Sequence, residues 1–186
     1  RRTQRQRLKN LGTTDKKSSR KIKYKKILRV HTFEKENQNM KVMNPVLPGF
    51  NPDPSLVRVG DDYYIATSTF EWFPGICIHH SKDLVNWEIL SYALTDETKF
   101  DIKGMDTACG IWAPNLTYDN GTFYLIYTIV YTNRNRFKDT HNFMVTASDP
   151  KGPWSDPIPL NKMGFDPSLF HDPDGTKWLG NMLFDY

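Results

Sequence analysis

The feature that most constrains the fold is a short proline-containing segment that occurs three times. It stands at residues 53–56 (Asp-Pro-Ser-Leu), 113–116 (Ala-Pro-Asn-Leu) and 166–169 (Asp-Pro-Ser-Leu), at spacings of 60 and then 53 residues. An aromatic run follows 10 or 11 residues after the proline of each copy. Proline is tolerated where a strand begins, because its missing N–H removes no ladder bond there. Each copy therefore predicts the first strand of a repeated β unit.

Strand patterns dominate the rest of each unit. Residues 62–67 and 122–128 are aromatic and β-branched, and a Gly-Asp or Asn-Gly turn precedes each run. A second internal similarity relates residues 81–87 to residues 148–154, and both copies end at a Trp. About four strands in 50 to 60 residues, ending near a Trp, are typical of a β-propeller blade. A β-sandwich with accidental internal similarity is the alternative.

The repeat also predicts how much of a propeller is present. Residues 44–186 hold about two and a half such units, whereas propellers close with about four blades or more. We therefore expect an all-β chain, a propeller truncated to two and a half blades.

Charge divides the chain near Met43. Residues 1–43 contain 15 Lys and Arg against 3 acidic residues, whereas residues 44–186 contain 10 against 18 and all 12 prolines. The basic segment has little apolar surface to bury, so its composition predicts a disordered extension, with translation upstream of a start at Met40 or Met43 as one origin. Nucleic-acid binding is the alternative, but a net charge of −8 over residues 44–186 argues against it.

Composition also excludes several classes of protein. No stretch approaches the roughly 18 apolar residues of a membrane span, and no apolar secretory region opens the chain, so we expect a cytoplasmic protein. Only two cysteines occur, Cys77 and Cys109, which excludes a disulfide scaffold and predicts buried thiols. The histidines lack metal-ligand spacing, so no metal site is predicted.

Two acidic residues occupy equivalent places in the repeat. Asp53 and Asp166 begin the first and third copies, and the first strands of propeller blades converge on the central axis. Two carboxylates facing one cavity are suited to acid–base chemistry, because each charge shifts the protonation of the other. The alternative is structural, since Asp-Pro is also an ordinary turn dipeptide.

Five motifs resemble, in order, those of glycoside hydrolase family 43, and most closely its β-xylosidase branch. They are residues 49–55, 59–64, 68–75, 110–114 and 164–170. The resemblance implies a five-bladed propeller that hydrolyses glycosidic bonds with inversion at the anomeric carbon. It covers residues 43–186 and leaves the basic extension unexplained.

The resemblance also implies roles for individual residues. Asp53 matches the general base, and Asp166 matches the carboxylate that orients the general acid and raises its pKa. Phe70 and Trp112 match aromatics that wall the pocket of the terminal sugar; Glu71, in the same loop as Phe70, receives no defined role.

The family's general acid is a glutamate shortly beyond the segment similar to residues 181–186. No glutamate follows Glu97 in this sequence, so the general acid is expected beyond Tyr186. The 186-residue chain is thus expected to be inactive alone, unlike its full-length parent.

The predicted activity is hydrolysis of xylo-oligosaccharides from the non-reducing end by a β-xylosidase. The alternatives are an α-L-arabinofuranosidase of the same family and a non-catalytic sugar-binding propeller. The predicted partner is an oligosaccharide, and no cofactor is expected. The resemblance leaves open a structural cation near the propeller axis and an oligomer of the full-length parent.

Overall fold

A computed structural model describes residues 42–132 and 138–183, and every regular element in these ranges is a β-strand. The strands are β1 (Ser55–Val59), β2 (Asp62–Thr67), β3 (Gly75–Ser81), β4 (Glu88–Leu94), β5 (Gly110–Ile111), β6 (Asn115–Asp119), β7 (Thr122–Thr132), β8 (Asp139–Ala147), β9 (Ile158–Asn161), β10 (Phe165–His171) and β11 (Lys177–Met182). The predicted basic extension lies outside the described residues, apart from Val42 and Met43. Among these residues no helix is long and apolar enough to span a membrane.

The first blade is a four-stranded antiparallel sheet in the order β1-β2-β3-β4. The predicted turn at Gly60 joins β1 to β2, with Val59 paired to Asp62. In β3 the side chains of Ile76 and Ile78 are both fully buried, and both belong to the core cluster that also contains residues of the second blade. Consecutive short hairpins thus build the blade from local sequence.

The second blade contains β6, β7, β8 and β9, with β5 added at one edge of β7. Asn120 and Gly121 form the β6–β7 turn with φ values of 46° and 80°, the left-handed pair that a two-residue hairpin needs. The 11-residue strand β7 pairs with β6 along its first half and with β5 near its end. The short β5 was not predicted.

The third sheet pairs β10 with β11. Two four-stranded blades and the first two strands of a third confirm the predicted all-β propeller of about two and a half blades.

The core lies between the first and second blades. It contains buried side chains from both sheets and from the segment that joins them: Ala66, Ile76, Ile78, Ala93, Leu94, Phe100, Ile102, Ile111, Leu116, Phe123, Leu125, Tyr127, Ile129 and Val145. Cys77 and Cys109 are also buried, as predicted.

The second pair of similar segments, residues 81–87 and 148–154, lies at a different place in the blade from the one we predicted. Trp87 precedes β4 and Trp154 precedes β9, so each ends the turn between the third and fourth strands and not the blade itself. In the first copy the Asp83 carboxylate accepts the N–H groups of Val85 and Asn86, which explains why a short polar sequence recurs there.

The inner strands of the three blades lie side by side. The Ser55 hydroxyl of β1 accepts the N–H of Leu116 in β6 at 2.9 Å. The Asn115 side-chain oxygen of β6 accepts the N–H of Leu169 in β10 at the same distance. Residues at the entry of these strands are thereby brought to one end of the hub.

Candidate active site

The four predicted site residues line one cavity. Asp53, Phe70, Trp112 and Asp166 surround a volume of about 280 Å³, together with Ala113 and Phe165. These side chains come from all three sheets or from the loops that enter them. A separate cavity of about 440 Å³ lies against the first blade, and no carboxylate is among its described lining residues. The cavity of about 280 Å³, which all four predicted residues line, is therefore the candidate active site.

The carboxylate of Asp53 is held by a hydroxyl from the next loop. Ser68 is buried, and its Oγ–H donates to Asp53 Oδ2 at 2.7 Å. The Ser68 N–H in turn donates to the carbonyl of Pro52, at 3.1 Å. These two hydrogen bonds connect the residues that precede β1 to the end of β2, and they fix the orientation of the Asp53 carboxylate.

Asp166 lies near the beginning of β10, where the pairing with β11 shifts register between Phe165 and Ser168. A shift of this kind redirects a side chain relative to a regular strand. Burial raises the pKa of Asp166, and the negative charge of Asp53 raises it further. The two carboxylates therefore interact electrostatically across the cavity.

Three of the cavity residues have a left-handed backbone. The φ angles are 53° at Asp53, 50° at Phe70 and 49° at Asp166. Side chains other than glycine rarely adopt this region, and such strain concentrates at functional sites. The conformation turns each side chain out of its strand or loop at the cavity.

The aromatic wall is built where the first two blades meet. Phe70 and Ile111 form a two-way backbone bridge, with both N–H···O distances at 2.9 Å. Gly110 precedes Ile111 with φ 87°, and a Cβ there would clash with the carbonyl group of Phe70. This close approach places the rings of Phe70 and Trp112 around the same cavity.

The Trp112 ring has its own fixed contacts. Its indole N–H donates to the carbonyl of Ala108 at 2.9 Å, and its edge packs on Phe165 with ring centres 5.8 Å apart. An aromatic surface of this kind suits the C–H face of a pyranose.

Sequence reasoning missed the parts played by Ser68 and Phe165. Both lie inside motifs that carried the family resemblance, so the signal was present, but their contacts depend on residues brought close by the fold. Glu71 was noticed without a role, and the structure shows that its carboxylate accepts the N–H of Ala108.

The described residues supply only two carboxylates to the cavity, Asp53 and Asp166. Asp172 and Asp174 lie in the β10–β11 turn, where both cap backbone N–H groups. The described ranges contain no cluster of three or more His, Cys, Asp or Glu residues that could hold a metal ion. The predicted location of the general acid, beyond Tyr186, is outside the described residues.

A β-propeller that gathers two carboxylates and an aromatic wall at its hub has the architecture of a propeller glycosidase. The chain belongs to Glycosyl hydrolases family 43, whose family model matches residues 42–186. This confirms the family predicted from the motifs.

Similar proteins are named as xylosidases. The chain is 59% identical over 145 residues to xylosidase/arabinosidase 43B of Humicola insolens, covering 78% of this chain and 27% of the relative. It is 57% identical to the β-xylosidase of Bacillus subtilis (strain 168), covering 79% and 28%. A crystal structure of xylan β-1,4-xylosidase from Bacillus halodurans C-125 matches with a TM-score of 0.76 and 63% identity, covering 78% and 28%. The chain thus spans little more than a quarter of the length of these proteins.

Proposed function

We propose that the whole protein to which this chain belongs is an inverting β-xylosidase that releases xylose from the non-reducing ends of xylo-oligosaccharides. The observation that carries the proposal is that Asp53 and Asp166 share one cavity with the rings of Phe70 and Trp112. The names of the relatives support xylose as the sugar.

Asp53 acts as the general base in this proposal. Ser68 engages Oδ2, so Oδ1 is the oxygen that takes the proton of the attacking water. As the water oxygen bonds to the anomeric carbon, the bond to the leaving oxygen breaks, and that oxygen takes a proton from the general acid. Inversion follows because water attacks the face opposite the leaving group.

Asp166 acts on the general acid and not on the water. A negative charge beside a carboxylic acid disfavours its ionisation, which keeps the acid protonated near neutral pH. Asp53 accepts one proton and the general acid donates the other, so the proposed reaction needs no cofactor.

A second activity is favoured by one finding. The relative from Bacteroides ovatus, 45% identical over 127 residues, is named a non-reducing end α-L-arabinofuranosidase. Arabinofuranose and xylopyranose both present an apolar face to an aromatic wall, so the described half of the pocket can accept either sugar.

The test uses the whole protein and aryl glycosides of the two sugars, with the anomer of the released sugar followed by NMR. We expect β-xyloside hydrolysis with inversion, and a loss of roughly 10²–10⁴-fold in kcat for Asp53→Asn, the usual contribution of a general base. Asp61→Asn, at an exposed turn carboxylate of the same blade, is the matched control and should keep full activity.

Two results would contradict the proposal. Wild-type turnover by Asp53→Asn would remove Asp53 as the base. Binding of xylose by the whole protein without any hydrolysis would instead make it a sugar-binding propeller.

A further inference from the structure

One residue, Ala108, joins the acidic side chain that follows Phe70 to the Trp112 ring through the two peptide groups that flank its Cα. The N–H of Ala108 donates to Glu71 Oε2 at 3.1 Å, and the carbonyl of Ala108 accepts the indole N–H of Trp112 at 2.9 Å. Glu71 and Ala108 are 37 residues apart, so the contact bridges the loops of two different blades. We propose that Glu71 is a positioning residue that sets the orientation of the Trp112 ring in the sugar pocket.

The conformation of Ala108 is one that this link stabilises. Its φ is 64°, in the left-handed region, although alanine strongly prefers negative φ. Ala108 is also exposed, and the peptide that carries its carbonyl has a further bond, from the Cys109 N–H to the carbonyl of Asp106 at 3.0 Å. A charge-assisted bond from a carboxylate is stronger than a neutral one and offsets the strain. Without it the φ and ψ angles of Ala108 can relax, which changes the direction of its carbonyl relative to the indole.

The backbone of Trp112 is fixed independently of this link. Its N–H donates to the carbonyl of Thr128 in β7 at 2.9 Å. Loss of the Glu71 contact is therefore expected to leave the chain path intact and to give the ring more freedom to rotate, while its edge-to-face contact with Phe165 remains.

The inference rests on the proposed function only in treating Trp112 as a wall of the sugar pocket. A misplaced ring weakens contact with the sugar, so the effect of Glu71 is expected chiefly in KM. Loss of a contact made equally in the bound and transition states raises KM without lowering kcat. KM is expected to increase about fivefold, which corresponds to the net contribution of one hydrogen bond.

The experiment labels the whole protein with 5-fluorotryptophan and assigns the Trp112 resonance with Trp112→Phe. Glu71→Ala is expected to shift and broaden that resonance and to raise KM for an aryl β-xyloside. Glu71→Gln keeps an oxygen that accepts the Ala108 N–H, so its Trp112 resonance and its KM should lie closer to the wild type than those of Glu71→Ala. Glu97→Ala is the matched control, because Glu97 lies on the same 300 Å³ depression as Glu71 but pairs with Lys103.

A second variant covers the case in which Glu71→Ala does not fold. Glu71→Asp keeps the charge, but its shorter side chain places the carboxylate out of reach of the Ala108 N–H. It should therefore shift the Trp112 resonance as Glu71→Ala does. An unchanged Trp112 resonance in both Glu71→Asp and any folded Glu71→Ala would overturn the inference. A shifted resonance in a protein that hydrolyses no xyloside would instead uphold the link and reject the proposed function.

Discussion

At the scale of single residues, the cavity side chains are held on a backbone that disfavours them. A left-handed φ costs roughly 1–2 kcal/mol for a residue with a Cβ, and Asp53, Phe70 and Asp166 all adopt it. Ser68 and the Phe70–Ile111 bridge hold two of them in place. The backbone strain at the residues that carry the carboxylates and the aromatic wall thus lowers the stability of the fold, as is common at functional sites.

The strain at Asp53 predicts an unusual order of stability. We expect Asp53→Gly to be more stable than Asp53→Ala by about 1 kcal/mol, because glycine adopts a positive φ without penalty. Both variants lose the carboxylate and its bond to Ser68, so the comparison isolates the backbone. Calorimetric unfolding of the two proteins measures the difference. At Asp61, which is not left-handed, alanine should be at least as stable as glycine, and the same order at both sites would contradict the explanation.

The raised pKa of Asp166 predicts a stability change that depends on pH. A carboxyl group whose pKa is higher in the folded protein than in the unfolded chain destabilises the fold once it ionises. That penalty develops as the pH rises from the ordinary carboxyl range through the raised value, and it is absent at lower pH. We expect Asp166→Asn to raise the unfolding temperature at pH 7 and to change it little near about pH 3, where aspartate is largely protonated in both states.

The measurement is a series of thermal unfolding curves from acid to neutral pH. Asp61→Asn, on an exposed turn, serves as the control and should show no such trend. A lower unfolding temperature for Asp166→Asn at pH 7 would contradict the prediction.

At the scale of strands, one bonding pattern repeats between neighbouring blades. Ser55 in β1 and Asn115 in β6 occupy the same place in the repeated segment. Ser55 accepts the N–H of Leu116 in β6, and Asn115 accepts the N–H of Leu169 in β10, which are themselves equivalent residues of the repeat. The pattern sets the spacing of the inner strands and hence of the carboxylates at their entry. Serine and asparagine both serve because only a side-chain oxygen is required.

This equivalence predicts how Asn115 tolerates substitution. Asn115→Ala removes the acceptor of the Leu169 N–H, and we expect a loss of about 1–2 kcal/mol in the free energy of unfolding. Asn115→Ser should lose less, because the Ser55 hydroxyl already makes the same contact at the same position of β1. Denaturant unfolding of the two variants measures this, and equal losses would contradict the equivalence of Ser55 and Asn115.

At the scale of the whole molecule, the sequence predicted what depends on local pattern. The first two proline-containing segments lead into β1 and β6, the third lies within β10 near its beginning, and the Asn-Gly turn lies between β6 and β7. These succeed because turn chemistry and strand alternation act over a few residues. The two-residue strand β5 was missed, since it has no periodicity of its own and exists only through its approach to β7 and Phe70.

The same distinction holds at the candidate site. Asp53 and Asp166 could be named from their equivalent places in the repeat, and Phe70 and Trp112 from motifs. Ser68 could not be assigned, since its contact to Asp53 crosses 15 residues of chain and depends on how β2 ends. Sequence thus predicted which side chains meet, and the fold was needed to show what holds them.

The junction of the first two blades depends on a glycine whose role only the assembled fold reveals. Gly110 and Gly121 have similar φ angles, 87° and 80°, but a Cβ at Gly110 would meet the backbone of Phe70, whereas space around Gly121 is open. Gly110→Ala and Gly121→Ala therefore carry similar backbone strain and differ in the clash. We expect Gly110→Ala to lose about 2 kcal/mol more, the range of overpacking, because Phe70 cannot move without breaking its bridge to Ile111.

Thermal unfolding of the two variants measures the effect on the junction, and kcat/KM of the same variants of the whole protein measures the effect on the cavity beside it. Gly110→Ala should also reduce kcat/KM, since Phe70 lines the cavity and Trp112 follows directly after Ile111. Gly121→Ala, in the β6–β7 turn, should lose stability alone. Equal stability of the two variants would mean that the blades can separate at this point without disturbing either sheet, and the close approach would then not be what sets the aromatic wall.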